Sequence, residues 1–287
     1  MKRYAFIGGT VAAVALPATG ARASVLQSRI ERLASASSGV VGVYARKLGV
    51  LDPVTFNPSV IFPSASVIKL AIFVSLFQYA QTSPGVFAQT IGLKLADFVG
   101  GSEILDGYNP RNTITIDRLA HAMIEQSDNT ASNILIDFLG FERIMHTVHR
   151  AGLHHTQLKR HFQDRSAIAH HSENLTTAHD MGLLLYQIER GAHEAIYTVA
   201  SPKSCRRMID ILLRQEDRDK LARGLPKGMP LANKTGEIDG VRNDIGIVDP
   251  YGDSPYIIAV LTKDLNDFSL GNSAIRKIAK AVHGALY

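Results

Sequence analysis

The stretch LANKTGEIDGVRNDIGIVDPYGDSPYIIAVLT, residues 231–262, decides the fold class. Leu231 to Lys234, Asn243 to Val248 and Tyr256 to Thr262 alternate or run apolar over strand lengths. Asp249-Pro250-Tyr251-Gly252-Asp253 carries turn residues between two of them. Upstream the apolar spacing is helical, predicting helices over Val67 to Tyr79, Ile116 to Gln126, Thr130 to Phe138, Thr177 to Gly191 and Lys203 to Arg214. Gly140, Gly152 and Gly191 read as helix stops. Nearer the start, Val40 to Arg46 reads as a further strand. Leu26, Ile30 and Leu33, and at the other end Ile275, Ile278, Ala279, Val282 and Leu286, each give a helix one apolar face.

Strands from both ends of the chain, separated by many helices, pack most simply as one antiparallel sheet. Terminal helices then cover a face of it, and an all-helical domain is inserted. The expected fold class is α+β, layered helix–sheet–helix. A discontinuous α/β domain is expected over 24–62 and 220–287, with the helical domain over 63–219.

Composition narrows function. The 287 residues carry a formal charge of +5, with one cysteine and no tryptophan. Lys2 and Arg3 precede an apolar run from Tyr4 to about Leu16, and Ala21-Arg22-Ala23 has the small-x-small pattern of a signal-peptidase site. Residues 1–23 are therefore expected to be an export signal, too short to span a bilayer. The protein is expected to be periplasmic or secreted, with no stable membrane anchor. Removing them takes away three basic residues and no acid, leaving 264 residues with 28 basic and 26 acidic side chains, a charge of +2. That gives no reason to expect nucleic acid as a partner. Cys205 is expected to pack in the core; a catalytic thiol, with Arg206 and Arg207 lowering its pKa, is the alternative. Nine histidines lie between His121 and His179. Without a His-Glu-x-x-His helix or a cysteine partner, they read as loop histidines rather than a metal site.

Three short motifs carry chemistry. Ser66-Val67-Ile68-Lys69 opens an apolar helix, where spacing of three places hydroxyl and amine on one side. Burial would lower the lysine pKa and free its amine as a base. Ser127-Asp128-Asn129 lies between two helices, and Lys234-Thr235-Gly236 lies on a strand where glycine permits close backbone approach. Each alone reads equally as a cap, a polar turn or an edge strand. All three in this order are expected by chance in roughly one chain in a few hundred.

The ordered set resembles the penicillin-recognising serine enzymes, most closely class A β-lactamases. Phe62-Pro63, Met123 to Ala131, and Leu225-Pro226 extend the resemblance. It implies a β-lactamase/transpeptidase-like fold, no cofactor, a monomer, and a small-molecule or peptide substrate bearing a carboxylate. It also implies roles: Ser66 as acylated nucleophile, Lys69 as its activator, and Ser127 as proton relay to the leaving nitrogen. Lys234 and Thr235 of the Lys234-Thr235-Gly236 strand would bind the carboxylate, with Arg242 assisting. Asn129 would bind a substrate amide, and the Ser66 and Glu237 N–H groups would form the oxyanion hole. The resemblance implies a β-lactam-opening hydrolase; a related peptidase or esterase, or a β-lactam-binding sensor, is the alternative.

Class A members clear their acyl-enzyme with a glutamate and an asparagine on an omega-shaped loop. Aligning Thr156-x-Leu158-x-Arg160 with that loop puts Phe162 at the glutamate and Ser166 at the asparagine. The pattern resembles a branch lacking the glutamate. Asp164, Glu173 or a nearby histidine is the alternative base.

Overall fold

A computed structural model describes residues 18–50, 52–101, 109 and 112–287, with side chains from residue 25 onward. Residues 1–17 of the expected signal segment lie outside the described residues, and residues 18–23 begin the first helix. The strands are β1 (Val40–Lys47), β2 (Val54–Phe56), β3 (Phe62–Pro63), β4 (Thr90–Gly92), β5 (Thr113–Thr115), β6 (Leu175–Thr176), β7 (Leu231–Ile238), β8 (Val241–Val248) and β9 (Tyr256–Lys263). Five of them form the main antiparallel sheet, ordered β2-β1-β9-β8-β7, while β3 pairs with β6 and β4 with β5. Strands from both ends of the sequence do share one sheet, with β9 central.

The period-two alternation of β9 explains why the sheet is covered on both faces. Ile257, Ala259 and Leu261 enter one core with the helices of the middle segment. Tyr256, Ile258 and Val260 enter a second, with Leu26 and Ile30 of α1 (Ala18–Ser35) and Ile275, Ile278 and Val282 of α10 (Phe268–Leu286). Each large apolar side chain so buried contributes roughly 2 kcal/mol of transfer free energy.

Between these ends lie α2 (Lys69–Thr82), α3 (Ile116–Glu125), α4 (Asn129–Leu139), α5 (Phe141–Arg150), α6 (Arg165–Ala169), α7 (Ala178–His193), α8 (Pro202–Leu212) and α9 (Leu221–Gly224). The first nine residues of α2, Lys69 to Phe77, are all buried, which makes it the axis of the helical region. Two expectations need correction. Helix α5 was not anticipated, because only Ile144, Thr147 and Val148 of it are buried and its apolar stripe is thin. Gly191 does not stop α7, which runs on to His193. A Cβ at Gly191 would lie 2.6 Å from Thr198 Oγ1 and 2.7 Å from Cys205 Sγ, so this glycine admits a neighbour. Cys205 is buried and its thiol pKa is raised by that burial, which favours packing over nucleophilic chemistry.

Glu189, also on α7, has no exposed surface and neither carboxylate oxygen has a partner among the described residues. Burial, then the charge of Asp249, pushes its pKa up to about 8. Since the folded value lies above the ordinary 4.5, the cost is absent below about pH 4.5 and grows until about pH 8. Glu189→Leu should therefore stabilise the protein at pH 8, by on the order of 2 kcal/mol, with the gain shrinking toward pH 5. Thermal melts at both pH values check this; an equal shift at both would contradict it.

Candidate active site

The turn that carries Ser66 is a single 3-10 turn, Ala65–Ile68, running into α2. Asn243 of β8 donates its Nδ2 to the carbonyls of Pro63 (3.1 Å) and Ser64 (3.2 Å), and the Ser64 N–H donates to the Asn174 carbonyl (2.8 Å). The turn is thus tied to the sheet on one side and to the loop before β6 on the other. Ala65 takes a left-handed φ of 46°, a strained state for a residue with a Cβ. That places Ser66 on the wall of a cleft of about 380 Å³.

Lys69, Ser127 and Lys234 converge beside it. Lys69 Nζ donates to the Ser127 carbonyl (2.5 Å), to Ser127 Oγ (3.2 Å) and to Asn129 Oδ1 (2.9 Å). Lys234 Nζ donates to the same Ser127 Oγ at 3.0 Å. Ser127 sits at φ 60° between α3 and α4, and this left-handed bend turns its hydroxyl toward both amines. The Ser66 hydroxyl makes no hydrogen bond among the described residues and faces the cleft. Asn129 lines the cleft too, with Nδ2 donating to the Gly100 carbonyl (2.9 Å), so both ends of its amide are already engaged.

Both lysines are fully buried. Burial, reinforced by the charge of Lys234, holds Lys69 well below the ordinary lysine pKa. Burial brings Lys234 down to about 7 against the opposing pull of Asp244 and Asp217. A neutral amine at Lys69 can accept a proton, and Ser127 lies within reach to pass one on.

Residues 25–286 match the profile of the beta-lactamase enzyme family. The chain belongs to that family. A beta-lactamase of Bacillus subtilis (strain 168) is 30% identical over 255 residues, covering 84% of this chain and 78% of the relative. One from Streptomyces fradiae is 28% identical over 259 residues, covering 86% and 80%. Among solved structures, the acyl-enzyme complex of a PBP-A variant with penicillin G superposes with a TM-score of 0.81 at 28% identity, covering 91% of this chain and 96% of that one. The beta-lactamase of Sphaerobacter thermophilus does so at 0.82 and 27%, covering 92% and 97%.

Within this family arrangement, Arg242 goes elsewhere than its sequence position suggested. Neighbouring residues of a strand face opposite sides, so Asn243 meets the Ser66 turn and Arg242 takes the other side of β8, with Nε 3.8 Å from the Glu237 carboxylate. The Arg242 guanidinium lies 3.9 Å from the centre of the Phe268 ring and donates to the carbonyls of Ile238 (3.1 Å) and Val241 (2.7 Å). It does not line the cleft. Lys220, which no motif marked, instead lies behind the wall, 1% exposed, with Nζ at 2.5 Å from Asp217 Oδ2 and 2.6 Å from Glu237 Oε1. Only its place in the charged run Asp217-Arg218-Asp219-Lys220 could have drawn notice.

Phe162 stands on the loop between α5 and α6. Asn133 clamps Phe162 through both backbone groups, accepting from its N–H (2.8 Å) and donating to its carbonyl (3.0 Å), and Lys69 Nζ lies 4.4 Å from the ring centre. Ser166 lies within α6, and Asp164 caps that helix by accepting from the Ala167 N–H (2.9 Å). Glu173 reaches a small cavity of about 90 Å³ shared with Ser66, but both its oxygens are held by Arg160 at 2.7 and 2.9 Å. None of the nine histidines lines either cavity, and among the described residues no three His, Cys, Asp or Glu cluster as a metal site.

The edge strand closes the site. Thr235, Gly236 and Glu237 of β7 line the cleft, and a Cβ on Gly236 would stand 2.9 Å from the Ser66 nitrogen, 3.0 Å from the Val67 nitrogen and 3.1 Å from the Ser64 carbonyl oxygen. All three are backbone atoms and cannot rotate aside. Gly236→Ala should push strand and Ser66 turn apart and slow acylation of Ser66 about 10²-fold or more, with the circular dichroism spectrum unchanged. Acylation followed by intact mass checks it; a variant acylated at the parent rate would contradict the close packing.

Proposed function

We propose that this chain is a serine hydrolase of the class A β-lactamase type, opening the β-lactam ring through an acyl-Ser66 intermediate. The observation that carries this reading is the meeting of Lys69 and Lys234 on the Ser127 hydroxyl, in the cleft that Ser66 lines. Neutral Lys69 takes the Ser66 proton as Oγ bonds to the β-lactam carbonyl carbon. The carbonyl oxygen becomes an oxyanion, held by the N–H groups of Ser66 and Glu237. As the intermediate collapses, the C–N bond breaks and Ser127 gives its proton to the leaving nitrogen. Lys69, bonded to Ser127, restores that proton. Lys234 and Thr235 hold the substrate carboxylate, and Asn129 meets the side-chain amide. Arg242 has no part in this reading.

Water must then cleave the ester. Phe162 cannot accept a proton, and Glu173 is held by Arg160, so hydrolysis of the acyl-enzyme is the slow step. This supports a long-lived acyl-enzyme over a rapid turnover cycle. The same reading places the cleft between an α/β domain of residues 24–62 and 220–287 and an all-helical domain of residues 63–219. It takes residues 1–23 as an export signal; among the described residues no helix is long and apolar enough to cross a membrane.

Purified protein incubated with a chromogenic cephalosporin should gain the mass of one adduct and show a burst followed by slow turnover. Ser66→Ala should show neither. Phe162→Glu should speed the steady phase about tenfold or more while leaving the burst at one equivalent. Full activity in Ser66→Ala would refute the nucleophile, and an unaccelerated Phe162→Glu would refute the missing base as the cause of slow turnover.

A further inference from the structure

The charge of the cleft wall points to a substrate class. Among the described residues four carboxylates line it, Glu125, Glu216, Asp217 and Glu237, and no lysine or arginine does. Their neutralisation is unequal. Glu125 meets His121 at 2.8 Å and Arg214 at 3.7 Å. Asp217 and Glu237 share one buried ammonium, Lys220, with Arg242 3.8 Å from Glu237. Exposed Glu216 has no ion pair among the described residues, and its side-chain partner is the uncharged Gln126 amide. Lys69 and Lys234 lie beneath this wall with no exposed surface, and burial disfavours the charged form of both.

The location of Glu216 fixes which part of a substrate meets it. Its N–H donates to the Glu125 carbonyl (3.0 Å), and its side chain meets Gln126, the residue before Ser127. Asp217 and Thr235 line the cleft together. The acidic wall therefore stands at the Ser127–Thr235 end, where the leaving nitrogen and its carboxylate lie in the mechanism above. A substrate with only a carboxylate there meets like charge, whereas a neighbouring cation would find an uncompensated anion.

We propose, resting on that mechanism, that the cleft selects acyl substrates carrying a cationic group, ammonium or pyridinium, on the leaving-nitrogen side. Glu216 is the residue that reads this charge.

Two cephalosporins sharing a thienylacetamido side chain test this, one with a 3-acetoxymethyl group and the other with a 3-pyridiniomethyl group. The readout is the ratio of their second-order rates of Ser66 acylation, by intact mass; comparing that ratio between variants cancels their intrinsic reactivities. From the parent to Glu216→Gln, the pyridinium-to-acetoxy ratio should fall about threefold to fivefold, and further in Glu216→Lys. Raising salt from about 0.02 to about 0.3 M should lower the ratio in the parent and leave it nearly flat in Glu216→Gln. An unchanged ratio across all three proteins, with acylation intact, overturns the charge selection alone. Failure of both compounds to acylate the parent overturns the mechanism and this inference together.

Discussion

Two lysine amines with no exposed surface share one serine hydroxyl, and the cleft is organised around that contact. A buried ammonium is costly, and two close together are worse, because burial and mutual repulsion act in the same direction. The pKa values of Lys69 and Lys234 are both lowered, by burial first and, for Lys69, by the charge of Lys234. The polar groups that keep them tolerable are few: the Ser127 carbonyl and hydroxyl, the Asn129 amide, and for Lys234 the Thr235 carbonyl. Moving any of these leaves a buried amine unsatisfied. The three motifs are thus one unit in energy as well as in position.

Holding that unit takes strain in the backbone around it. Ala65 and Ser127 both adopt left-handed φ without being glycine, and each stands at or beside a serine that lines the cleft. Such residues cost on the order of 1 to 3 kcal/mol and persist only where their surroundings fix them. Here the surroundings are identifiable. Asn243 ties the Ser66 turn to β8, Asn174 ties it to the loop before β6, and Gly236 lets β7 come against it. Ser127 is followed by Asp128, whose Oδ1 accepts from the Ala131 N–H (2.7 Å) and starts α4. Rigid anchors on several elements, rather than any one motif, set the positions of these side chains.

Much of this was legible in the sequence, and the reasons differ by element. The strands after Pro230 and the faces of α1 and α10 were readable because each buries a periodic apolar set. Lys69, Ser127 and Lys234 were readable because their motifs keep fixed spacing. The surroundings of Arg242 were not readable, because sequence position does not state which side of a strand a residue takes or that Phe268 and Glu237 stand beside it. Lys220 was invisible for a different cause. Its importance arises from Asp217 and Glu237 closing on it from a loop and a strand, and only the tertiary structure makes that meeting.

Phe162 brings these points together. In a site where burial already starves an amine of partners, an aromatic ring at 4.4 Å offers Lys69 its face and nothing that can hold a proton. In the proposed mechanism such a ring accommodates the acylation base and withholds a hydrolytic one, because the first step draws on Lys69, whereas the second needs a polarised water. Clamping by Asn133 at both backbone groups keeps the ring in place. In the proposed mechanism, acylation and deacylation are therefore separable in this cleft: the first rests on Ser66, Lys69 and Ser127, and the second on what the loop between α5 and α6 places beside them.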